Sequence, residues 1–337
     1  MLDLSTLQKF DKGKMYEVYD KWPEIARTTY EAGHDVIDIN NNINHIIFSG
    51  MGGSGALGDI FSAILSKTNI HVCVVKGYHL PETVNSNTLV ITISISGNTS
   101  ETLNVLDSAI KHDCKLVSFC SGGKMEEYCK KNNVSYRKIK QFHSPRASFS
   151  SFLYSMLSTL EPVLPIKKND IFESLDRLEI QKNKIASSNL SADNPALSLA
   201  QWIKGIPLIY YPWGLQAAAI RFKNSLQENA KLHAIAEDVI EACHNGIVSW
   251  EKKSNVQPIL LKGQDDYYKT KERWNILKEY FNQNDIEFWE VESGSGSIIS
   301  KLIGLVYLLD YASIYAAVLR GMDPTPVHSI DFIKNRL

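Results

Sequence analysis

The sequence predicts an α/β protein of two doubly wound parallel-sheet domains, with a helical N-terminus and a C-terminal tail. Three observations carry that expectation. The chain has 337 residues, a length for about two domains of roughly 100–200 residues each. Short strand-like apolar runs alternate with segments of helical periodicity, and the alternation occurs twice. Between the two rounds lies a charged and polar stretch, residues 165–195, with sparse apolar positions.

Taken in order, residues 1–40 form an N-terminal helical segment, with Tyr16, Val18, Tyr19, Trp22 and Ile25 at helix-like spacing. The first α/β domain is expected over residues 41–164. HIIFSG (45–50) is an apolar run ending in glycine, and ALGDIFSAILSK (56–67) follows with helical periodicity. IHVCVVKG (70–77) and NTLVITISIS (87–96) are strand-like. From Asn98 to His112 the chain is amphipathic through Leu103, Leu106, Ala109 and Ile110; CKLVSFCSG, the helical KMEEYCKKN, VSYRKIK and PRASFSSFLYSMLSTL complete the domain. Residues 165–195 are expected to be a linker helix. The second domain, residues 196–337, starts with IPLIYYPWG (206–214) and a long helix through Glu228. It continues with VQPILLKG (256–263), KERWNILKEYFNQN, IEFWEVE (286–292) and an apolar helix over 297–321, and ends in the tail DPTPVHSIDFIKNRL.

Composition narrows the function classes. Hydrophobic residues make up 44% and charged residues 22%, as in a globular protein with a substantial core. The formal net charge of -1 offers no global attraction for nucleic acid or an anionic membrane, so neither partner is expected. Any bound anion must be held by a local site. The opening MLDLSTLQKFDKGKMYE mixes both charge signs and lacks the apolar core of a signal peptide. Lys301 and Asp310 break the longest apolar region into runs too short to span a bilayer. Cys73, Cys114, Cys120, Cys129 and Cys243 include no CxxC pair, which predicts reduced thiols in a cytoplasmic protein.

Two loops carry the chemistry. In FSGMGGSGALGD (48–59) a glycine turn separates a strand from a helix, bringing bare backbone N–H groups and a helix N-terminus to where an anion could sit. The second strand ends Val74-Val75-Lys76-Gly77, without the carboxylate that a dinucleotide ribose needs. Gly58 precedes Asp59 rather than the lysine of a P-loop. A plain helix-on-strand turn remains the competing reading. The second loop, Ser94-Ile95-Ser96-Gly97-Asn98-Thr99-Ser100-Glu101, follows the strand TLVITI. Asn98 with Glu101 would explain a helix cap, but not Ser94, Ser96 and Thr99 at one strand end. Hydroxyls and helix N–H groups together suit a phosphomonoester, and strands of an open parallel sheet present such ends to a common crevice.

Gly52-Gly53-Ser54 after one strand and Ser94-Ile95-Ser96-Gly97-Asn98-Thr99 after a later one resemble the sugar isomerase (SIS) domain. With Pro145-Arg146-Ala147, Glu228-Asn229-Ala230-Lys231, His244-Asn245 and Asp323-Pro324, the chain from about residue 45 to 337 resembles the bifunctional phosphoglucose/phosphomannose isomerases. The resemblance implies two SIS-type, flavodoxin-like domains, a homodimer, no metal and no other cofactor. It implies an aldose–ketose isomerase of hexose 6-phosphates in glycolysis or gluconeogenesis, with the sugar phosphate bound between the domains. In that family the Glu of Glu-Asn-x-Lys is the catalytic base, so Glu228 takes that role. His244 becomes the ring-opening acid/base reaching a neighbouring subunit's site, Arg146 the cation beside the enediolate, and Lys334 a substrate-contacting lysine. Gly52, Gly53, Ser54, Ser94, Ser96 and Thr99 would bind the substrate phosphate, and Thr325 would set access to mannose 6-phosphate. From the residues alone, Glu228 fits equally an exposed helix glutamate, His244 a turn histidine, Arg146 a helix-start arginine, Lys334 a solvated terminal lysine and Thr325 a cap. Sixteen residues of continuous helix would part Glu228 from His244 by about 24 Å, so either the chain folds back between them or they meet across a dimer interface. Ile95, at a position often aromatic in the family, and Ala242-Cys243 before His244 depart from its pattern without removing a catalytic group. The rival class is a non-catalytic SIS module sensing a sugar phosphate. An amidotransferase-type isomerase would need a glutaminase domain, and a metal-dependent isomerase clustered histidines; the nine here are scattered.

Overall fold

The computed structural model describes residues 2–33 and 43–336. Its elements run α1 (Leu4–Phe10), α2 (Met15–Asp20), α3 (Trp22–Glu31), β1 (His45–Ser49), α4 (Gly53–Leu65), β2 (His71–Val75), β3 (Thr88–Ser94), α5 (Ser100–Ala109), β4 (Lys115–Cys120), α6 (Gly123–Lys131), β5 (Ser135–Lys138) and α7 (Phe149–Leu160). Then follow α8 (Lys168–Ile185), α9 (Pro195–Trp202), β6 (Ile206–Tyr211), α10 (Gln216–Ala230), β7 (Ile235–Asp238), α11 (Val239–Ala242), β8 (Val256–Lys262), α12 (Tyr268–Gln283), β9 (Trp289–Glu292), α13 (Ile298–Leu319) and α14 (His328–Lys334). The chain divides into two compact units, Lys21–Asp176 and Met1–Asp20 with Arg177–Leu337. The division falls inside α8, and the expected junction at residues 40 and 41 lies outside the described residues.

In the unit Lys21–Asp176, five parallel strands lie in the order β2-β1-β3-β4-β5. Every residue of β1 and β3 is buried, because helices cover both faces of these central strands. Alternate side chains feed opposite layers. Ile47, Val75 and Val90 pack with Val105 and Ala109 of α5, while Phe48 stacks on Phe61 of α4 at 5.1 Å. Trp22 of α3 donates its indole N–H to Ala147 O at 2.8 Å and stacks on Phe149 of α7.

The other unit holds four parallel strands in the order β7-β6-β8-β9. β7 lies outside the sequence expectation. It is four residues long, at the sheet edge, and Ile-Ala-Glu-Asp carries no apolar alternation, since an edge strand of that length buries little. Tyr210, Leu260, Trp250, Trp274 and Phe281 form one core layer. α13 packs on α9 and α10, and also on α1 and α2. Its residues are apolar all round, the pattern of a helix buried on every side.

α13 corrects the expectation of short apolar runs. The helix continues through Lys301 and Asp310 for 22 residues, long and apolar enough to cross a bilayer by length and composition, and 94% of its most apolar window is buried inside the fold. Its two charges have partners. Lys301 Nζ lies 2.7 Å from Asp265, and Asp310, fully buried, accepts from Arg221 Nη2 at 2.6 Å, Arg221 Nε at 3.1 Å, Ser225 at 2.8 Å and Tyr19 at 3.0 Å.

Candidate active site

In the unit Lys21–Asp176, β1 and β3 are hydrogen-bonded neighbours, so the two loops of interest start from adjacent strand ends. The first loop turns at Gly52, whose φ of 54° and ψ of -121° suit glycine, and α4 starts at the next residue. Ser54 is buried, and its Oγ accepts the Ile95 N–H at 3.2 Å, which ties the first loop to the second. In the second loop the Ser94 hydroxyl donates to Thr99 Oγ1 at 3.0 Å, and Gly97 turns with φ of 71°. A Cβ on Gly97 would run into the Gly122 carbonyl, so this loop also packs against the start of α6.

Asn98 differs from the expected cap. The N-cap of α5 is Thr99; Asn98 instead accepts the Lys124 N–H at 3.1 Å and donates to Ser96 O at 3.1 Å, joining the second loop to α6. Thr99, one of the three hydroxyls, is itself the cap residue, but its side chain makes no capping hydrogen bond, so capping does not account for the cluster. Arg146 also differs: α7 begins at Phe149, and Arg146 sits in the preceding turn. It is 6% exposed, and its Cα lies 3.7 Å from where a Gly53 Cβ would stand. Gly52, Gly53, Ser54, Ser94, Ser96, Thr99 and Arg146 thus gather where β1 and β3 end. With backbone N–H groups and hydroxyls, the cluster is suited to an anion.

In the second unit, Glu228 stands in the last turn of α10, half-buried. α10 stops at Lys231, which adopts a left-handed φ of 55°. The Lys231 ammonium donates to the carbonyls of Glu228 at 2.8 Å and Asn229 at 3.2 Å, and to those of Asp323 at 3.1 Å and Pro324 at 3.4 Å. Asp323 in turn accepts the Thr325 N–H at 2.8 Å. Glu228 and Thr325, about a hundred positions apart in sequence, are brought to one place by that lysine, whose part was missed in the sequence; the only signal was its position three residues after Glu228.

His244 is exposed and follows α11, with its N–H on Glu241 O at 2.9 Å. The chain between Glu228 and His244 leaves the helix at Lys231, runs through β7 and turns at α11, so the 24 Å of a continuous helix does not apply. Asn245 bonds Glu241 and the Gly246 N–H, fixing the turn after His244. Glu237, on β7, reaches Gly246; burial and then Glu241 push its carboxyl above the usual carboxylate range. Lys334 ends α14, a helix with no buried residue. Among the described residues no three His, Cys, Asp or Glu side chains gather as metal ligands.

A family model described as the SIS domain matches residues 41–160, and one described as the bacterial phospho-glucose isomerase C-terminal SIS domain matches residues 192–337. A bifunctional phosphoglucose/phosphomannose isomerase of Caldicellulosiruptor bescii is 31% identical over 338 residues, 96% of this chain and 98% of that protein. One of Aquifex aeolicus is 31% identical over 298 residues, 87% of this chain and 90% of that protein. Among solved structures, a hypothetical protein of Thermus thermophilus superimposes with a TM-score of 0.74 over 98% of this chain and 91% of its own, at 14% identity, a likeness of fold alone. Two parallel α/β units, each matched by an SIS model, and near-full-length likeness to these relatives place the chain in the bifunctional phosphoglucose/phosphomannose isomerase family.

Proposed function

We propose that this protein interconverts fructose 6-phosphate with glucose 6-phosphate and mannose 6-phosphate by moving protons through a shared enediol. The observation that carries the reading is the pair of hydroxyl loops at adjacent strand ends, joined through Ser54 and Ile95, in a chain whose relatives bear that name over nearly their full length. The phosphate would be held by Ser94, Ser96, Thr99 and the Gly52–Ser54 turn, with no lysine in that set.

His244 would open the ring, taking the proton of the C1 hydroxyl and delivering it to the ring oxygen, so that C1 becomes an aldehyde. Glu228 would remove the C2 proton; the C–H electron pair forms the C1–C2 double bond and O1 takes the negative charge, which Arg146 offsets and protonation then relieves. Returning the proton to C1 while O2 loses its own gives the ketose. Glucose and mannose 6-phosphates differ only at C2, so rotation about C2–C3 lets one base serve both, and Thr325 is small enough to leave room for it. Each positioned proton-transfer group is typically worth about 10²–10⁴-fold, and charge placed at the oxyanion about 10²–10³-fold. Both hydrogens move as protons, so the sequence needs no redox cofactor. A cytoplasmic homodimer, with His244 serving its neighbour and Lys334 touching substrate, completes the proposal, and the hexose phosphate interconversion would place it in glycolysis or gluconeogenesis.

The test is an assay with fructose 6-phosphate, with and without a chelator, scoring glucose and mannose products separately in the parent and in Glu228→Gln. Chelator-resistant formation of both, falling at least about 10³-fold in the variant, is the expected result. Binding of fructose 6-phosphate with no turnover would instead make the chain a sugar-phosphate sensor. Mixing Glu228→Gln and His244→Ala chains should restore some sites if His244 acts across the dimer.

A further inference from the structure

Lys231 is a poor choice of residue for its backbone. It occupies the left-handed position that ends α10, with φ of 55°, where glycine or asparagine would cost less. Its backbone N–H bonds Leu226 O, and the next N–H, that of Leu232, does the same, so the helix terminus is closed by the main chain without help from a lysine side chain. What the side chain adds is the four-carbonyl contact. Two of the acceptors, Glu228 and Asn229, belong to the last turn of α10, and two, Asp323 and Pro324, belong to the segment leading into Thr325.

An ammonium suits this place for two reasons. The carbonyls of a helix C-terminus point outward and carry the negative end of the helix dipole, so a cation there is favoured. Three N–H donors on one nitrogen can serve acceptors from two chain segments at once, which a backbone cap cannot do. Asn229 is anchored from the other side by its bond to Ser313 of α13 at 2.8 Å, so the turn carrying Glu228 is held on two faces.

We propose that Lys231 is a positioning residue: its ammonium clasps the end of α10 to the Asp323–Thr325 segment and thereby fixes where Glu228 and Thr325 stand. The inference rests on the proposed isomerase function and goes beyond it by naming the device that couples the base to the wall of the sugar pocket. A loosened clasp misplaces both at once. It lowers the rate of proton transfer and shifts the choice between the two aldoses, because a displacement of about 1 Å in such a site costs on the order of 100-fold.

Lys231→Gly and Lys231→Arg, assayed with fructose 6-phosphate, separate this role from a structural one. Glycine relieves the left-handed backbone while deleting the ammonium, so its melting temperature should stay within about 3 °C of the parent's. Its kcat should fall by about 10–100-fold with KM changed less than about threefold, and the mannose share of product should drop. Arginine, which also donates from a cation, should recover a substantial part of kcat and of the product ratio. A Lys231→Gly chain within about threefold of the parent in kcat, with the same product ratio, would overturn the proposal. So would a loss of activity that tracks a large fall in melting temperature and that arginine does not repair. A parent chain that itself turns over no fructose 6-phosphate sinks the isomerase reading, and this inference with it, which the parent control reveals before any variant is read.

Discussion

Replacing Asp310 by Asn removes one negative charge from the interior of the second unit while leaving the side chain's shape nearly unchanged. The carboxylate is fully buried and accepts four hydrogen bonds, two from Arg221, which is 3% exposed, and one each from Ser225 and Tyr19. Burial works against the Arg221 charge, yet Asp310, with Tyr19 and Glu228, holds that guanidinium above its ordinary pKa. An asparagine carries one acceptor oxygen and one donor nitrogen, so one of the groups now donating to Asp310 would face an N–H, and Arg221 would lose the carboxylate of its buried ion pair. Breaking a buried pair in this way costs about 3–5 kcal/mol. At roughly 2–4 °C per kcal/mol for a domain of this size, the melting temperature should fall by about 6–20 °C. The double variant Arg221→Met with Asp310→Leu removes both charges and fills the space with apolar atoms, so it should cost less than about 2 kcal/mol. Denaturant and thermal melts of the parent, of Arg221→Met and Asp310→Leu each alone, and of the double give the full cycle, with Asp310→Asn measured beside it. A single-variant cost below about 1 kcal/mol, or a double-variant cost equal to the sum of the singles, would refute the claim that this ion pair is a coupled unit of the α10–α13 interface.

Ser94→Ala should raise the KM for fructose 6-phosphate by about 10–100-fold with little change in kcat, the loss expected for one hydrogen bond to a charged group; an unchanged KM would take Ser94 out of the phosphate site. Thr325→Gln should lower turnover to mannose 6-phosphate more than turnover to glucose 6-phosphate, and equal losses would reject a role in substrate range. Burial pushes the Cys120 thiol up to about 11, so at pH 8 the folded protein should leave Cys120 unalkylated while the denatured chain reacts, as peptide mapping after iodoacetamide would report. Rapid labelling of Cys120 in the folded state would show that β4 is open to solvent.

Much of the fold was legible because buried parallel strands write themselves as apolar runs. TLVITI and HIIF stand out since helices cover both faces, and each strand lay where its run predicted. β7 was not legible, because an edge strand of four half-exposed residues needs no apolar signature. The helix start at Phe149 rather than at Arg146 was also hidden, as a proline-led turn and a first helical turn look alike in sequence. At the candidate site, the hydroxyls of the second loop could be named from their crowding after one strand. That Asn98 serves α6 rather than capping α5 could not, since the Lys124 N–H it accepts is 26 residues away.

The sequence by itself determined the class of the protein, for strand–helix periodicity, glycine turns and the order of short motifs are local properties, written within a few residues of one another. Only the tertiary structure decided which of those residues meet. The buried bond between Arg221 and Asp310 and the lysine contact that carries Thr325 to the end of the Glu228 helix join positions some ninety residues apart. Such pairings depend on how α10 and α13 pack rather than on any spacing along the chain, because a charge inside a protein is stable only where the fold supplies its partner.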